Sequence, residues 1–252
     1  MLSHRVRNIA PSATLAIDAK AKQLKREGKD VVIFGAGEPD FNTPDNIKQA
    51  AKRAIDNNTT RYTPIGGMPE LKKAVADKFR GFNKINYDVS EIIIGCGGKH
   101  VLYNAMMSVL DKGDEAILPV PYWVSFEEMI KISEAKPVFC KTDENFKLTA
   151  KEVKEKITDK TKLLILNSPG NPSGAIAEPQ EIRKIAELAV KHNFFVISDE
   201  VYEYFTYGKG HLSIASLNDE IKNLTITCNS ASKTYAMTGW RIGYAAGPHD
   251  II

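Results

Sequence analysis

Residues 162–202 have the sequence KLLILNSPGNPSGAIAEPQEIRKIAELAVKHNFFVISDEVY. Two apolar runs within it, KLLIL (162–166) and FFVIS (194–198), have the length and composition of buried strands, and a helical segment separates them. Strands that alternate with helices are typical of a mostly parallel sheet covered by helices on both faces. This stretch therefore predicts an α/β fold.

The same alternation continues along the chain in both directions. Further strands are predicted at EIIIG (91–95), EAILP (115–119), KPVFC (136–140), LTITC (224–228) and RIGYAAG (241–247). Helical periodicity is found in residues 12–27, through Leu15, Ala16, Ala19 and Leu24, and in residues 44–57 and 71–79. A short apolar run at 31–34 predicts one more strand. We expect the strands from residue 91 onward to form a seven-stranded, mostly parallel sheet flanked by helices in an α/β/α arrangement.

Composition indicates an ordinary globular protein. Hydrophobic residues make up 43% and charged residues 26% of the 252 residues, and the 34 Lys and Arg are spread along the chain. A net charge of +3 distributed in this way does not predict binding to nucleic acid. No apolar run approaches the roughly 18 residues of a membrane helix, and the N-terminus lacks the apolar region of a signal peptide. We therefore expect no membrane contact and a cytoplasmic location.

The cysteine and histidine spacings predict neither a disulfide framework nor a metal site. The three cysteines form no closely spaced pair, and the five histidines include no pair that one helix face could turn toward an ion. Chemistry is instead expected beyond the carboxyl ends of the strands, where ligands bind in sheets of this kind.

A glycine-rich segment follows the strand EIIIG and precedes a helical pattern. Its residues, GCGGK (95–99), would place the free backbone amides of Gly98 and Lys99 at a helix start, where a phosphate can bind. A glycine-rich turn formed only for packing is an equally good interpretation. Trp123 follows the strand EAILP and could stack on a flat ring, although a core position is the simpler reading.

Polar residues follow the two predicted strands of residues 162–202. Asn171 lies in the turn-forming run NSPGNPSG (167–174), whose X-Pro bonds can be cis. Asp199 follows a strand so apolar that its carboxylate should be buried and need a cationic partner, such as a protonated pyridine nitrogen. Tyr202 could add a hydrogen bond to a ring oxygen. Asp199 could also serve simply as a helix cap.

A lysine follows the strand LTITC. Lys233 lies among small hydroxyl residues, and desolvation with nearby cations would make its amine a nucleophile toward an aldehyde. Ser230, Ser232 and Arg241 could hold a phosphate dianion beside it.

These segments together resemble the class I (fold type I) aminotransferases, and most closely the bacterial aspartate aminotransferase subgroup. The resemblance is carried by AGEPDF (36–41), RYTPIGGMPEL (61–71), GGKHVLYN (97–104), PYWVSFEEM (121–129), NSPGNPSG (167–174), SDEVYE (198–203) and SASKTYAMTGWRIGYAAGP (230–248). It implies pyridoxal 5′-phosphate (PLP) as cofactor, a Schiff base on Lys233, and transamination between an amino acid and a 2-oxo acid. Lys233 would also move the proton between the substrate Cα and the cofactor C4′.

The resemblance also implies a role for each remaining candidate residue. Asp199 would keep the pyridine nitrogen protonated, and Asn171 and Tyr202 would bind the phenolic oxygen of the ring. Trp123 would stack on the ring. The residues expected around the phosphate are Gly98, Lys99, Ser230, Ser232 and Arg241, with Tyr62 supplied by the other subunit of a homodimer with a shared active site. The residues expected to contact substrate are Gly37, Lys99, Trp123 and Asn171.

Lys99 would favour a substrate with a second carboxylate, which makes L-aspartate or L-glutamate the expected amino donor. The resemblance divides the chain into residues 1–40, an N-terminal arm and part of an incomplete small domain, and residues 41–252, the large PLP-binding domain. Members of the family are longer, and the part that completes the small domain and supplies the arginine for the substrate α-carboxylate has no counterpart here. We therefore expect a complete cofactor pocket and an incomplete substrate pocket.

Three alternatives remain open. A PLP lyase, such as a β-C–S lyase or an aminocyclopropane carboxylate synthase, would share the cofactor residues, although Lys99 argues against it. A PLP-binding fragment without turnover would fit the missing arginine. A nucleotide-binding oxidoreductase fits poorly, because GAG (35–37) is followed by prolines rather than by the helix that a dinucleotide fingerprint requires.

Overall fold

The computed structural model describes residues 1–35 and 37–252, without the side chains of Ala13 and Leu15 in the first long helix. Seven strands follow one another in the predicted order. Their bounds are β1 Ile92–Gly95, β2 Glu115–Val120, β3 Lys136–Lys141, β4 Thr161–Asn167, β5 Phe195–Asp199, β6 Thr225–Ser230 and β7 Gly243–Ala246. Each predicted strand from residue 91 onward is thus confirmed, with small differences at the ends.

The α-helices precede and connect these strands. Their bounds are α1 His4–Arg7, α2 Ala13–Arg26, α3 Asp45–Asp56, α4 Pro69–Lys78, α5 Gly98–Val109, α6 Ser125–Ile132, α7 Ala150–Lys154, α8 Pro179–His192, α9 Asp219–Lys222 and α10 Ala231–Thr234. A π-helical turn, Phe79–Asn83, continues α4. The three helices expected at 12–27, 44–57 and 71–79 correspond to α2, α3 and α4. No helix among the described residues is both long and apolar enough to cross a membrane.

The strands form one sheet in the order β1-β7-β6-β5-β4-β2-β3. Strand β7 is antiparallel to both of its neighbours, β1 and β6, and the remaining pairs are parallel. All strands except β7 therefore point the same way. Their carboxyl ends meet at one edge of the sheet, so the segments expected to carry chemistry lie side by side.

Apolar residues on the two faces of strand β4 belong to two separate core clusters. Leu163 and Ile165 of β4 pack with α5 and α6. Leu164 and Leu166, which alternate with them, pack with α7, α8 and α9 on the other face. Successive side chains of a strand point to opposite faces, so a continuous apolar run fills both clusters. Each fully buried Leu or Ile contributes about 1.5–3 kcal/mol to folding. The α/β/α arrangement is thereby confirmed.

The prediction of a strand at residues 31–34 is wrong. The segment is not a strand, and Val32 and Phe34 are 74% and 91% exposed. A strand needs a neighbour for its backbone N–H and C=O groups, and no described strand pairs with this segment. An apolar run alone does not reveal whether such a neighbour exists. Within the adjoining GAG, Ala36 lies outside the described residues.

Candidate cofactor site

The candidate residues that follow β4, β5 and β6 are aligned at the carboxyl edge of the sheet. Asn167 of β4 pairs in register with Asp199 of β5, which pairs with Cys228 of β6. Ser230 ends β6 and lies opposite Gly243 of β7, and Gly243 also lies opposite Gly95 at the end of β1. The five consecutive strands β1, β7, β6, β5 and β4 thus place the loops after β1, β4, β5 and β6 on the same end of the sheet.

Asp199 is a buried carboxylate without a cationic partner among the described residues. It is 5% exposed, and its Oδ1 accepts a hydrogen bond from the backbone N–H of Val201 at 3.2 Å. Burial raises the pKa of Asp199 to about 7, the Val201 amide opposes this shift, and the charge of Glu200 adds to it. A buried carboxylate of this kind suits a ligand that brings a positive charge, such as a protonated pyridine nitrogen.

Asn171 and Tyr202 lie together beside Asp199. The Nδ2 of Asn171 donates to the Tyr202 hydroxyl at 3.5 Å, and the backbone N–H of Asn171 donates to Oδ1 of Asn167 at 2.8 Å. Asn167 Nδ2 in turn donates to the carbonyl oxygen of Asp199 at 3.0 Å. Asn167 therefore connects the loop after β4 to the end of β5, a role that the sequence reasoning missed. Its position as the last residue of an apolar strand was the available signal.

The prolines of this region adopt the expected conformation. The Ser168–Pro169 and Asn171–Pro172 bonds are cis, as is Val120–Pro121 before Trp123.

Lys233 lies in α10, three residues after the end of β6. Its ammonium donates a hydrogen bond to the carbonyl oxygen of Gly37 and lies 5.9 Å from the centre of the Tyr202 ring. Burial lowers the pKa of Lys233, the positive charge of Arg241 lowers it further, and the carboxylate of Glu38 opposes the shift. A lysine with a lowered pKa has a larger fraction of the free amine that attacks carbonyl carbons.

Glycines and hydroxyls form a cradle at the start of α5. The Ser230 and Ser232 hydroxyls are hydrogen-bonded to each other at 2.8 Å. A Cβ added to Gly98 would lie 3.4 Å from Cβ of Ser230, and one added to Gly97 would lie 2.1 Å from Nη2 of Arg241. The absence of a side chain at Gly97 thus lets the Arg241 guanidinium lie beside the start of α5, whereas a Cβ at Gly98 would make only an ordinary contact. Helix amides, two hydroxyls and a guanidinium suit a phosphate dianion.

Gly243 of β7 is a further residue that the sequence reasoning missed. A Cβ at this position would lie 2.3–2.5 Å from the backbone C and O of Gly97 and the backbone N of Gly98. Glycine at 243 therefore allows the cradle to lie directly on the sheet. A glycine inside an apolar strand is a known sign of such a close backbone approach.

Trp123 and Lys99 lie against each other. The Lys99 ammonium is 5.0 Å from the centre of the Trp123 ring, and Trp123 packs edge-on against Phe126 with 5.4 Å between ring centroids. Trp123 packs against the core but is only partly buried, so it differs from a fully buried core tryptophan. Partial burial lowers the pKa of Lys99, and the charge of Arg241 adds to this effect.

Tyr62 is separate from the other candidate residues. Its side chain is fully exposed, with no hydrogen bond or ring contact to another described residue. A single chain therefore does not bring Tyr62 to this site, and its role at the phosphate remains a prediction.

A second group of ionisable residues lies behind the site. Glu200, Glu203 and His211 offer ligand atoms within 4.8 Å of one another, close enough for a metal ion. However, Lys78 already forms an ion pair with Glu203, and Asn83 donates to both carboxylates at 2.8 Å. The group is a hydrogen-bonded charge network, and the absence of a metal site stays a prediction. Sequence reasoning missed it because its members come from separate elements.

Comparison with known proteins agrees with this arrangement. The sequence model of the family described as "Aminotransferase class I and II" matches residues 29–252. The chain is 49% identical to an aspartate aminotransferase of Bacillus sp. (strain YM-2) over 255 residues, and 48% identical to that of Bacillus subtilis (strain 168) over 254. In both cases the alignment covers 100% of this chain and 65% of the relative.

A solved structure is equally similar. The aspartate aminotransferase from Thermus thermophilus with maleate superposes with a TM-score of 0.96 at 44% identity, covering 100% of this chain and 65% of that one. The chain therefore spans just under two thirds of the length of these relatives. Class I aminotransferases use PLP, and the cradle, the lysine and the unpaired buried carboxylate described above fit that cofactor. The chain belongs to the class I and II aminotransferases.

Proposed function

We propose that the protein is a PLP-dependent aminotransferase that exchanges an amino group between L-aspartate or L-glutamate and a 2-oxo acid. The observation that carries the proposal is the buried carboxylate of Asp199, which lacks a cationic partner among the described residues and lies at the same sheet edge as Lys233. The names of the relatives, which are aspartate aminotransferases, support the choice of amino donor.

The residues of the chain would divide the work as follows. When bound, PLP supplies a protonated ring that accepts the electron pair released at the substrate Cα. Asp199 holds the proton on the ring nitrogen, since a carboxylate in a buried place favours a cation beside it. Lys233 would hold the cofactor covalently until the substrate amine displaces it, and its freed amine would then move a proton between the substrate Cα and the cofactor C4′. Asn171 and Tyr202 bind the phenolic oxygen.

Other residues position the cofactor and select the substrate. Trp123 stacks on the ring, Gly37 borders the substrate, and Lys99 binds its second carboxylate. Asn171, besides its bond to the ring oxygen, contacts the substrate. The phosphate is held by the amides of Gly98 and Lys99 together with Ser230, Ser232 and Arg241.

We extend the proposal to the assembly. Residues 41–252 form the large PLP-binding domain, and residues 1–40 form an arm with part of a small domain. The exposed Tyr62 side chain is free to reach the phosphate of a neighbouring subunit, so a homodimer with shared active sites is the expected assembly. A cytoplasmic location goes with this proposal.

Spectroscopy with added PLP tests the function. The protein should develop a visible absorbance band, borohydride should fix the cofactor on Lys233 as shown by peptide mapping, and aspartate should bleach the band. Amino transfer should depend on a 2-oxo acid. Release of pyruvate and ammonia would favour a lyase, and a band that no amino acid bleaches would favour a binding protein without turnover. A wild-type protein without any band would refute the cofactor assignment.

A further inference from the structure

The charge network of Glu200, Glu203 and His211 shares a turn with two candidate cofactor residues, Asp199 and Tyr202. Glu200 and Glu203 follow Asp199, and each is 1% exposed. The backbone N–H of Glu203 donates to the carbonyl oxygen of Glu200 at 3.0 Å. The turn that presents Asp199 and Tyr202 therefore also carries two buried carboxylates, which the proposed mechanism does not use.

Three donors from other segments bind the carboxylate of Glu203. Lys78, the last residue of α4, forms an ion pair with it. Asn83, at the end of the π-helical turn, donates through Nδ2 to Oε2 at 2.8 Å. Asn229, in β6, donates through Nδ2 to Oε1 at 2.8 Å. One carboxylate thus joins the turn after β5 to the segment after α4 and to the end of β6.

Glu200 strengthens the same network. Its Oε1 accepts hydrogen bonds from the hydroxyls of Ser198 at 2.9 Å and Ser213 at 2.6 Å. Its Oε2 lies 3.1 Å from Nε2 of His211, an ion-pair distance without good hydrogen-bond geometry. Two carboxylates face the Lys78 ammonium and the His211 ring, so the buried network is electrically neutral when that ring is protonated.

Asn229 extends this network into the candidate site. It is 1% exposed, and its Nδ2 also donates to the carbonyl oxygen of Glu200 at 3.2 Å. Its Oδ1 accepts the backbone N–H of Ser230 at 2.7 Å. Ser230 begins the segment that holds the phosphate, and Lys233 lies three residues further on. The Asn229 side chain therefore touches the β5 turn on one side and the cofactor-binding segment on the other.

We propose that Glu203 is a positioning residue that acts through Asn229. Together they hold the end of β6, with Ser230 and Lys233, in a fixed place relative to the turn of Asp199. This inference rests on the proposed cofactor site. A displacement of about 1 Å between groups that bind opposite ends of one rigid ligand is enough to weaken binding strongly. Glu203 needs no contact with the cofactor to have this effect.

The test compares two buried ion-paired glutamates. Glu203→Gln removes the negative charge and one of the two acceptor oxygens that face three donors, so the contacts with Lys78, Asn83 and Asn229 cannot all be kept. The matched control is Glu115→Gln, because Glu115 is 8% exposed and binds Thr158 at 2.6 Å and Lys136 at 3.0 Å. Glu115 begins β2, at the edge of the sheet opposite the candidate site.

Cofactor affinity is measured on the purified proteins well below their unfolding temperatures. Glu203→Gln should raise the Kd for PLP at least tenfold and shift the pH midpoint of the visible band, whereas Glu115→Gln should keep both values within about twofold and a few tenths of a pH unit of wild type. If Glu203→Gln does not fold, Glu203→Asp takes its place. The shorter side chain retains the charge for Lys78 but withdraws from Asn229.

Two results would count against the inference in different ways. A folded position-203 variant with the PLP affinity and band of Glu115→Gln would overturn the positioning role and leave the cofactor site intact. Absence of the band in wild type and in Glu115→Gln alike would overturn the proposed function, and the positioning role with it.

Discussion

The Lys233 ammonium donates a hydrogen bond to the carbonyl oxygen of Gly37, although 196 positions separate the two residues. Nearby, the hydroxyl of Thr43 donates to the carbonyl oxygen of Ala236 at 2.5 Å and accepts from Nε1 of Trp240 at 3.1 Å. Gly37 and Thr43 therefore lie against α10, which carries Lys233, and the residues that follow it.

Lys233→Arg should keep the positive charge at this position but prevent formation of the Schiff base. Arginine can still donate to Gly37, but a guanidinium does not condense with an aldehyde. We expect a folded protein without a visible PLP band or borohydride labelling, and amino transfer lowered by about 10²–10⁴-fold or more. Absorbance and a coupled assay measure both effects. Lys112→Arg, at an exposed position, should behave as wild type. Retention of the band in Lys233→Arg would assign the covalent link to another lysine.

Asp199→Asn should change how the stability of the cofactor-free protein depends on pH. The pKa of Asp199 is about 7 in the folded protein and about 3.9 in an unfolded chain. The folded state thus binds more protons between these values, and the free energy of unfolding falls as pH rises from about 4 to about 7, by roughly 4 kcal/mol.

Removal of this carboxyl should abolish that slope. Asp199→Asn without PLP should be more stable than wild type at pH 8 and similar at pH 4, as measured by urea unfolding, while its PLP affinity falls. Equal pH slopes in the two proteins would mean that the Asp199 carboxylate already has a partner.

Gly243→Ala should disturb the cradle. The new methyl group would overlap the backbone of Gly97 and Gly98, so the loop must shift, at a cost of about 1–3 kcal/mol. Weaker binding of PLP should accompany the loss. Thermal unfolding and PLP titration measure the two quantities. Gly81→Ala is the control, since no atom lies within 4 Å of its added Cβ, and it should stay within about 0.5 kcal/mol. A wild-type Kd for PLP in Gly243→Ala would show that the cradle does not depend on this glycine.

Lys99→Met should change the choice of amino donor. A hydrogen bond to a charged group contributes about 1.5–3 kcal/mol, so the KM for aspartate should rise roughly tenfold or more. The kcat/KM for alanine, which has no second carboxylate, should change little. Lys162→Met removes another lysine that lies over an aromatic ring, Phe195 at 5.8 Å, and should leave both substrates unaffected. Equal losses for aspartate and alanine would argue against a carboxylate contact.

The sheet could be predicted because each strand is an apolar run with turn-forming residues near its ends. Parallel strands then bring distant loops together, which is why Asn171, Asp199 and Lys233 were expected at one edge. The segment 31–34 shows the limit of this reasoning. Its composition matches that of the true strands, and only the absence of a neighbouring strand among the described residues distinguishes it.

Contacts made by packing were beyond prediction. The approach of Gly243 to the glycine loop depends on β7 lying between β1 and β6, an arrangement that no local pattern encodes. The contacts of Glu203 likewise depend on Lys78, Asn83 and Asn229 meeting from three elements.

The placement of β7 also sets the order in which the strands can join the sheet during synthesis. Strand β1 emerges first among the strands, yet the strand with which it pairs, β7, is the last. Until β7 arrives, β1 has no place in the sheet, and the glycine segment that follows it has no surface on which to lie. The parallel strands β2 to β6 can associate earlier, because they are consecutive in the sheet and each has at least one neighbour by then. The phosphate cradle can therefore take shape only after β7 has been made.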